Sequence, residues 1–98
     1  MKENYEVARK LNSIGKQIFI EYFNIFKSSS LNNITKEQVI DILISKNVSN
    51  YNGASIRYSN ALWLFKHKKE QEALKIVINS KKVPQNIKTK AQNILYNL

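Results

Sequence analysis

Residues 34–46, ITKEQVIDILISK, carry the plainest helix start in the chain. Thr35 followed three residues later by Gln38 has the spacing of a capping box. The threonine hydroxyl accepts from the third helical N–H, and the glutamine side chain returns to the cap's own N–H. Ile34 before the cap and Val39 after it have the spacing of a hydrophobic staple. The pattern predicts a helix from Thr35 to about Lys46, with Val39, Ile40, Ile42, Leu43 and Ile44 as its apolar side.

Toward the N-terminus, Ala8, Leu11, Gly15, Ile18, Tyr22 and Ile25 recur at intervals of three and four, which predicts one long helix over residues 3–27. Gly15 costs about 1 kcal/mol against alanine in a helix interior, so it marks a bend or a close crossing. From Ile18 to Phe26 the helix is apolar around most of its circumference and must be covered on more than one side. Ser28, Ser29 and Ser30 end it. Toward the C-terminus, residues 47–53 read as a turn, with Asn52-Gly53 as its strongest breaker. Helices are then expected at 54–66 and 69–79, joined by a tight connection or running on continuously. Pro84 suits the first turn of a last helix, whose face is Ile87, Ala91, Ile94, Leu95 and Leu98.

Composition agrees with helices. Two glycines and one proline leave little of the punctuation that hairpins need. A hydrophobic share of 43% supports a core and argues against disorder. The expected fold is all-α, a single domain over residues 1–98, built as a compact bundle of four to five helices. A helix-turn-helix is a candidate within it. The chain has no cysteine, which removes disulfides, thiolate metal sites and a cysteine nucleophile. The N-terminus carries two acids by position 6 and shows no apolar leader, and the densest apolar run falls short of a membrane span. Cytoplasmic location, with no membrane contact, is therefore the expectation.

Charge is the strongest functional signal. The formal net charge is +9. Residues 1–49 carry seven bases and five acids, whereas residues 50–98 carry nine bases and two acids. No acid follows Glu72, while Lys75, Lys81, Lys82, Lys88 and Lys90 do. With Lys66, Lys68 and Lys69, these lysines are the candidate phosphate contacts of a nucleic-acid-binding surface, DNA before RNA. A lysine-rich solvated face is the plain alternative. Tyr51, Tyr58, Trp63 and Tyr96 are candidate stacking partners for unpaired bases.

Helix 35–46, turn 47–53 and helix 54–66 stand in helix-turn-helix order. That would bring Asn52, Arg57 and Tyr58 toward base edges, although the turn is longer than in the simple motif. Phe19, Tyr22, Phe23 and Phe26 are candidates for a partner-binding face, because a small domain has limited room for rings on several sides; core packing is the alternative. Catalytic groupings are missing from the sequence. Asp41 is the only aspartate, His67 the only histidine, and no glycine-rich phosphate loop occurs. No cofactor or metal is implied.

Ala61, Leu64, Ala73 and Val77, with Pro84 following and Ala91 in the place of a second Ala61, resemble one hairpin of a tetratricopeptide-type array. One and a half units is below the three that such arrays need, so the resemblance implies antiparallel helix packing. In size, basic charge and lysine-isoleucine-asparagine composition, the whole chain resembles small proteins of staphylococcal mobile elements. Among these is the small middle protein family of the cassette replication operon. That resemblance implies an accessory subunit partnering an A-family DNA polymerase. The function expected is thus a non-enzymatic nucleic-acid-binding accessory, with its basic C-terminal half on phosphates and its first helix on a larger protein or a second copy. The alternatives are a dimeric helix-turn-helix repressor and a protein-interaction adaptor or inhibitor that binds no nucleic acid.

Overall fold

The computed structural model describes residues 5–98, which form seven helices. These are α1 (Tyr5–Ile14), α2 (Lys16–Glu21), α3 (Phe23–Ser30), α4 (Lys36–Ser45), α5 (Tyr51–Lys66), α6 (Glu70–Ile78) and α7 (Gln85–Tyr96). The fold is all-α, as the sequence predicts. The helix count exceeds four to five because the segment expected as one long helix is divided in three.

Both divisions have local causes. Gly15 takes φ 93° and ψ 123°, a conformation that side-chain-bearing residues rarely adopt, and there the direction of the chain changes. At Tyr22 (φ −113°, ψ 20°) the bend is softer. The Tyr22 N–H still bonds to the Ile18 carbonyl, and the Phe26 N–H bonds to the Tyr22 carbonyl. Residues 3 and 4, where the first helix was expected to begin, lie outside the described residues.

The capping box at α4 forms as the sequence specifies. Gln38 N–H donates to Thr35 Oγ1 at 3.1 Å, and Thr35 N–H donates to Gln38 Oε1 at 2.8 Å. Val39 is fully buried, and Ile34 packs against the same core. The turn that follows is shorter than residues 47–53. Asn50 Oδ1 accepts from the Gly53 N–H at 2.8 Å and caps α5, so Asn52-Gly53 lies inside the helix's first turn. First-turn N–H groups lack helical partners in any case, and glycine there interrupts nothing.

Three helices end in the same way. Asn32, Asn47 and Lys68 have φ of 64°, 58° and 56°. Each is followed by a residue whose N–H reaches back to close the last turn: Asn33 to Ser28, Val48 to Leu43, and Lys69 to Leu64. These are Schellman motifs, usually built on glycine. The last of them separates α5 from α6, so those helices are not continuous.

α5 is the central helix and packs against α1, α3, α4 and α6; α7 lies mainly against α6 and α2. α6 packs more extensively on α7 than on α5, which moves the expected hairpin one helix along. One continuous core joins all seven helices. At its centre the Phe19, Phe23 and Phe65 rings meet, with centroids 5.4 Å (Phe19–Phe23), 6.1 Å (Phe19–Phe65) and 5.2 Å (Phe23–Phe65) apart. Aromatic pairs at such separations add about 0.5–1.5 kcal/mol each beyond the area they bury.

Candidate nucleic-acid interface

The expected partner-binding rings are internal. Phe19, Phe23 and Phe26 are essentially inaccessible, and Tyr22 is half-buried against the same core. The width of the apolar arc is met by the chain's own α5 and α7, together with the bends at Gly15 and Tyr22 that fold the segment around them. Phe19, Phe23 and Phe26 therefore offer no surface to a second protein, and Tyr22 offers only part of its ring.

Two of the three candidate base contacts are also held within the fold. Arg57 is half-buried. Its Nε donates to Ser49 Oγ at 2.7 Å, and its Nη1 donates to the Ile14 carbonyl at the end of α1. Positive charge at a helix C-terminus also opposes the helix dipole favourably. The Tyr58 hydroxyl shares a hydrogen bond of 3.0 Å with Ser29 Oγ, and the Lys36 ammonium lies 6.0 Å from the ring centroid. Asn52 is exposed on the first turn of α5. A recognition helix that read bases through Arg57 would have to release α1. Trp63 is likewise occupied. His67 stacks on it with centroids 4.1 Å apart, and the Lys10 ammonium lies 5.3 Å from its ring. Tyr51 and Tyr96 remain exposed.

The lysines divide into three groups. Lys66 and Lys68 stand where α5 gives way to α6, Lys75 is on the outer side of α6, and Lys81 and Lys82 follow its end; all five are exposed. Only Lys75 is on α6 itself, whose nine residues span about 14 Å; the other four flank its two ends, and Glu70 and Glu72 occupy its first turn. None of the five has a carboxylate partner among the described residues, where the ion pairs are Arg9–Glu6, Lys10–Glu6 and Lys69–Glu72. Lys69 thus differs from its neighbours: its Nζ sits 3.1 Å from Glu72 Oε1.

Lys88 and Lys90 do not act as a pair. Residues two apart on a helix do not face one another, and Lys88 and Lys90 lie on opposite flanks of the buried Ile87–Ala91 face. Lys90 turns toward α3, where it lines a groove with Lys27. Lys27 belongs to the nearly neutral half of the sequence and was missed by reasoning from charge asymmetry. The amphipathic period of each helix was readable, but not the meeting of α3 with α7.

Among the described residues no group of three histidine or acidic side chains could hold a metal ion, and no helix is long and apolar enough to cross a membrane. No protein-family model matches the sequence, and no curated protein or solved structure matches it either.

Proposed function

We propose that the protein is a non-enzymatic nucleic-acid-binding accessory that holds phosphates on the exposed lysines of α6 and its flanking turns. The observation that carries this reading is a set of exposed, unpaired lysines on and beside α6. It comprises Lys66, Lys68, Lys75, Lys81 and Lys82, exposed, without carboxylate partners, and in a half of the chain with no acid beyond Glu72. Unpaired lysines repel each other, and a polyanion relieves that repulsion while releasing its own counterions. The contact is one of backbone charge, not of base sequence, because Arg57 and Tyr58 are already engaged in the fold. The resemblance in size, composition and charge suggests the replication assembly of a mobile element as the setting, with an A-family polymerase as the larger partner.

The test is fluorescence anisotropy with a labelled duplex and a labelled single strand across a salt titration. Each phosphate neutralised contributes about −0.9 to the logarithmic salt slope on duplex DNA. Replacing Lys68, Lys75, Lys81 and Lys82 together by glutamine should flatten that slope by about 3 to 4. A wild-type protein that binds neither probe at low salt, or a slope unchanged by the replacement, overturns the proposal.

A further inference from the structure

The groove between α3 and α7 combines groups that a surface for phosphates alone does not need. It is open to solvent, with a volume of about 260 Å³. On the α3 side, Asn24 and Lys27 line it, three residues apart and therefore on one helical face. On the α7 side, Lys90, Asn93 and Asn97 follow at intervals of three and four and share a face in the same way. Ile94 and Leu98 supply apolar lining, with the buried Phe23 behind them. No aspartate or glutamate side chain lines it, and neither lysine has an acidic partner among the described residues. The Asn97 side-chain N–H donates to the Asn93 backbone carbonyl at 2.8 Å, which leaves its oxygen as an acceptor.

From this juxtaposition we propose that the α3–α7 groove binds an unpaired nucleotide of a single strand, with its phosphate at Lys27 and Lys90 and its base among the asparagine amides. The proposal rests on the nucleic-acid-binding function above. A bare anion would use the two ammonium groups and leave the amides and the apolar lining idle. An unpaired nucleotide uses all three: a charged phosphate, a base edge with donors and acceptors that match amide groups, and apolar base faces. In a duplex the base edges are paired, and the convex backbone reaches lysines without entering a groove of this size. The acid-free run after Glu72, with Lys75, Lys81, Lys82, Lys88 and Lys90, favours a polyanion over an acidic protein segment as the occupant.

The test compares the wild-type chain with the Lys27→Gln/Lys90→Gln double variant on labelled oligothymidylate and on a labelled duplex. Both side chains reach solvent, so the variant should keep its helical circular dichroism. Affinity for the single strand should fall about tenfold or more, as expected for charge-assisted bonds, and its salt slope should flatten by about 1.4. Duplex affinity should change far less. Independently, the side-chain amide resonances of Asn24, Asn93 and Asn97 in the wild-type protein should shift on adding oligothymidylate. Equal losses on single strand and duplex, or unmoved amide resonances in a protein that binds the strand, would overturn the groove assignment. So would displacement of oligothymidylate from the wild type by a polyglutamate peptide, which would give the groove to an acidic protein segment. A wild type that binds neither nucleic acid would instead remove the function on which the site depends.

Discussion

Gly15→Ala should be among the most damaging single-methyl changes in the molecule. Two separate costs meet at this position. The backbone at φ 93° and ψ 123° is one that L side chains rarely adopt, and holding a residue in such a region costs about 1–3 kcal/mol. The added Cβ would also stand 3.0 Å from Arg57 Nη1. That guanidinium is not free to withdraw, because it bridges the Ile14 carbonyl and Ser49 Oγ. Moving it gives up a charge-assisted hydrogen bond worth about 1.5–3 kcal/mol. Together the two come to about 2.5–6 kcal/mol, a large share of the 5–15 kcal/mol typical of a folded domain. For a chain of this size each kcal/mol lowers Tm by about 4–8 °C, so the melting point should fall by at least about 10 °C. Thermal and urea unfolding followed by circular dichroism measure both quantities. A double-mutant cycle with Arg57→Ala separates the costs, since the steric part disappears in that background while the backbone part persists. A loss below about 1 kcal/mol, or strict additivity in the cycle, would refute the account of Arg57 as a bridge packed against a glycine-specific bend.

Two further substitutions probe other parts of the fold. Lys68→Gly should stabilise the protein by about 0.5–1 kcal/mol in urea unfolding, because a left-handed residue with a side chain costs about 1–2 kcal/mol and glycine's extra chain entropy returns part of that. Phe23→Ala should destabilise by about 3–5 kcal/mol through the cavity it leaves between Phe19 and Phe65; wild-type stability in that variant would mean that Phe23 is a surface residue after all.

What could be read from the sequence was what neighbouring residues decide between themselves. The capping box needs only Thr35 and Gln38, and it forms as written. Pro84 at the head of α7 and the breaking power of Gly15 are local in the same sense. Asn52-Gly53 was misassigned because the cap that decides its role, Asn50, lies two residues upstream and competes with the turn that the dipeptide usually makes. The bend at Tyr22 has no glycine or proline to announce it, and Lys68 has no intrinsic preference for a left-handed backbone; the hydrogen bond from Lys69 to Leu64 imposes it. The site was harder to read. Arg57 looked like a free polar residue on an exposed helix face, but the carbonyl it holds is 43 residues away. Lys27 sits amid a nearly neutral stretch, and only the packing of the last helix gives it Lys90 across a groove.

The peripheral position of α7 has a consequence for motion. It is anchored chiefly by Ile87 and Ala91, with Ile94 and Leu95 only partly covered, and it leans mainly on α6 and α2. Such an element can detach in a sub-global opening whose free energy lies below that of complete unfolding. Its amide protons should therefore exchange with deuterium ahead of those of α5, which is clasped from four sides. A molecule spanning the gap to α3 would tether the helix, and its affinity would then register as slower exchange along the last twelve-residue element.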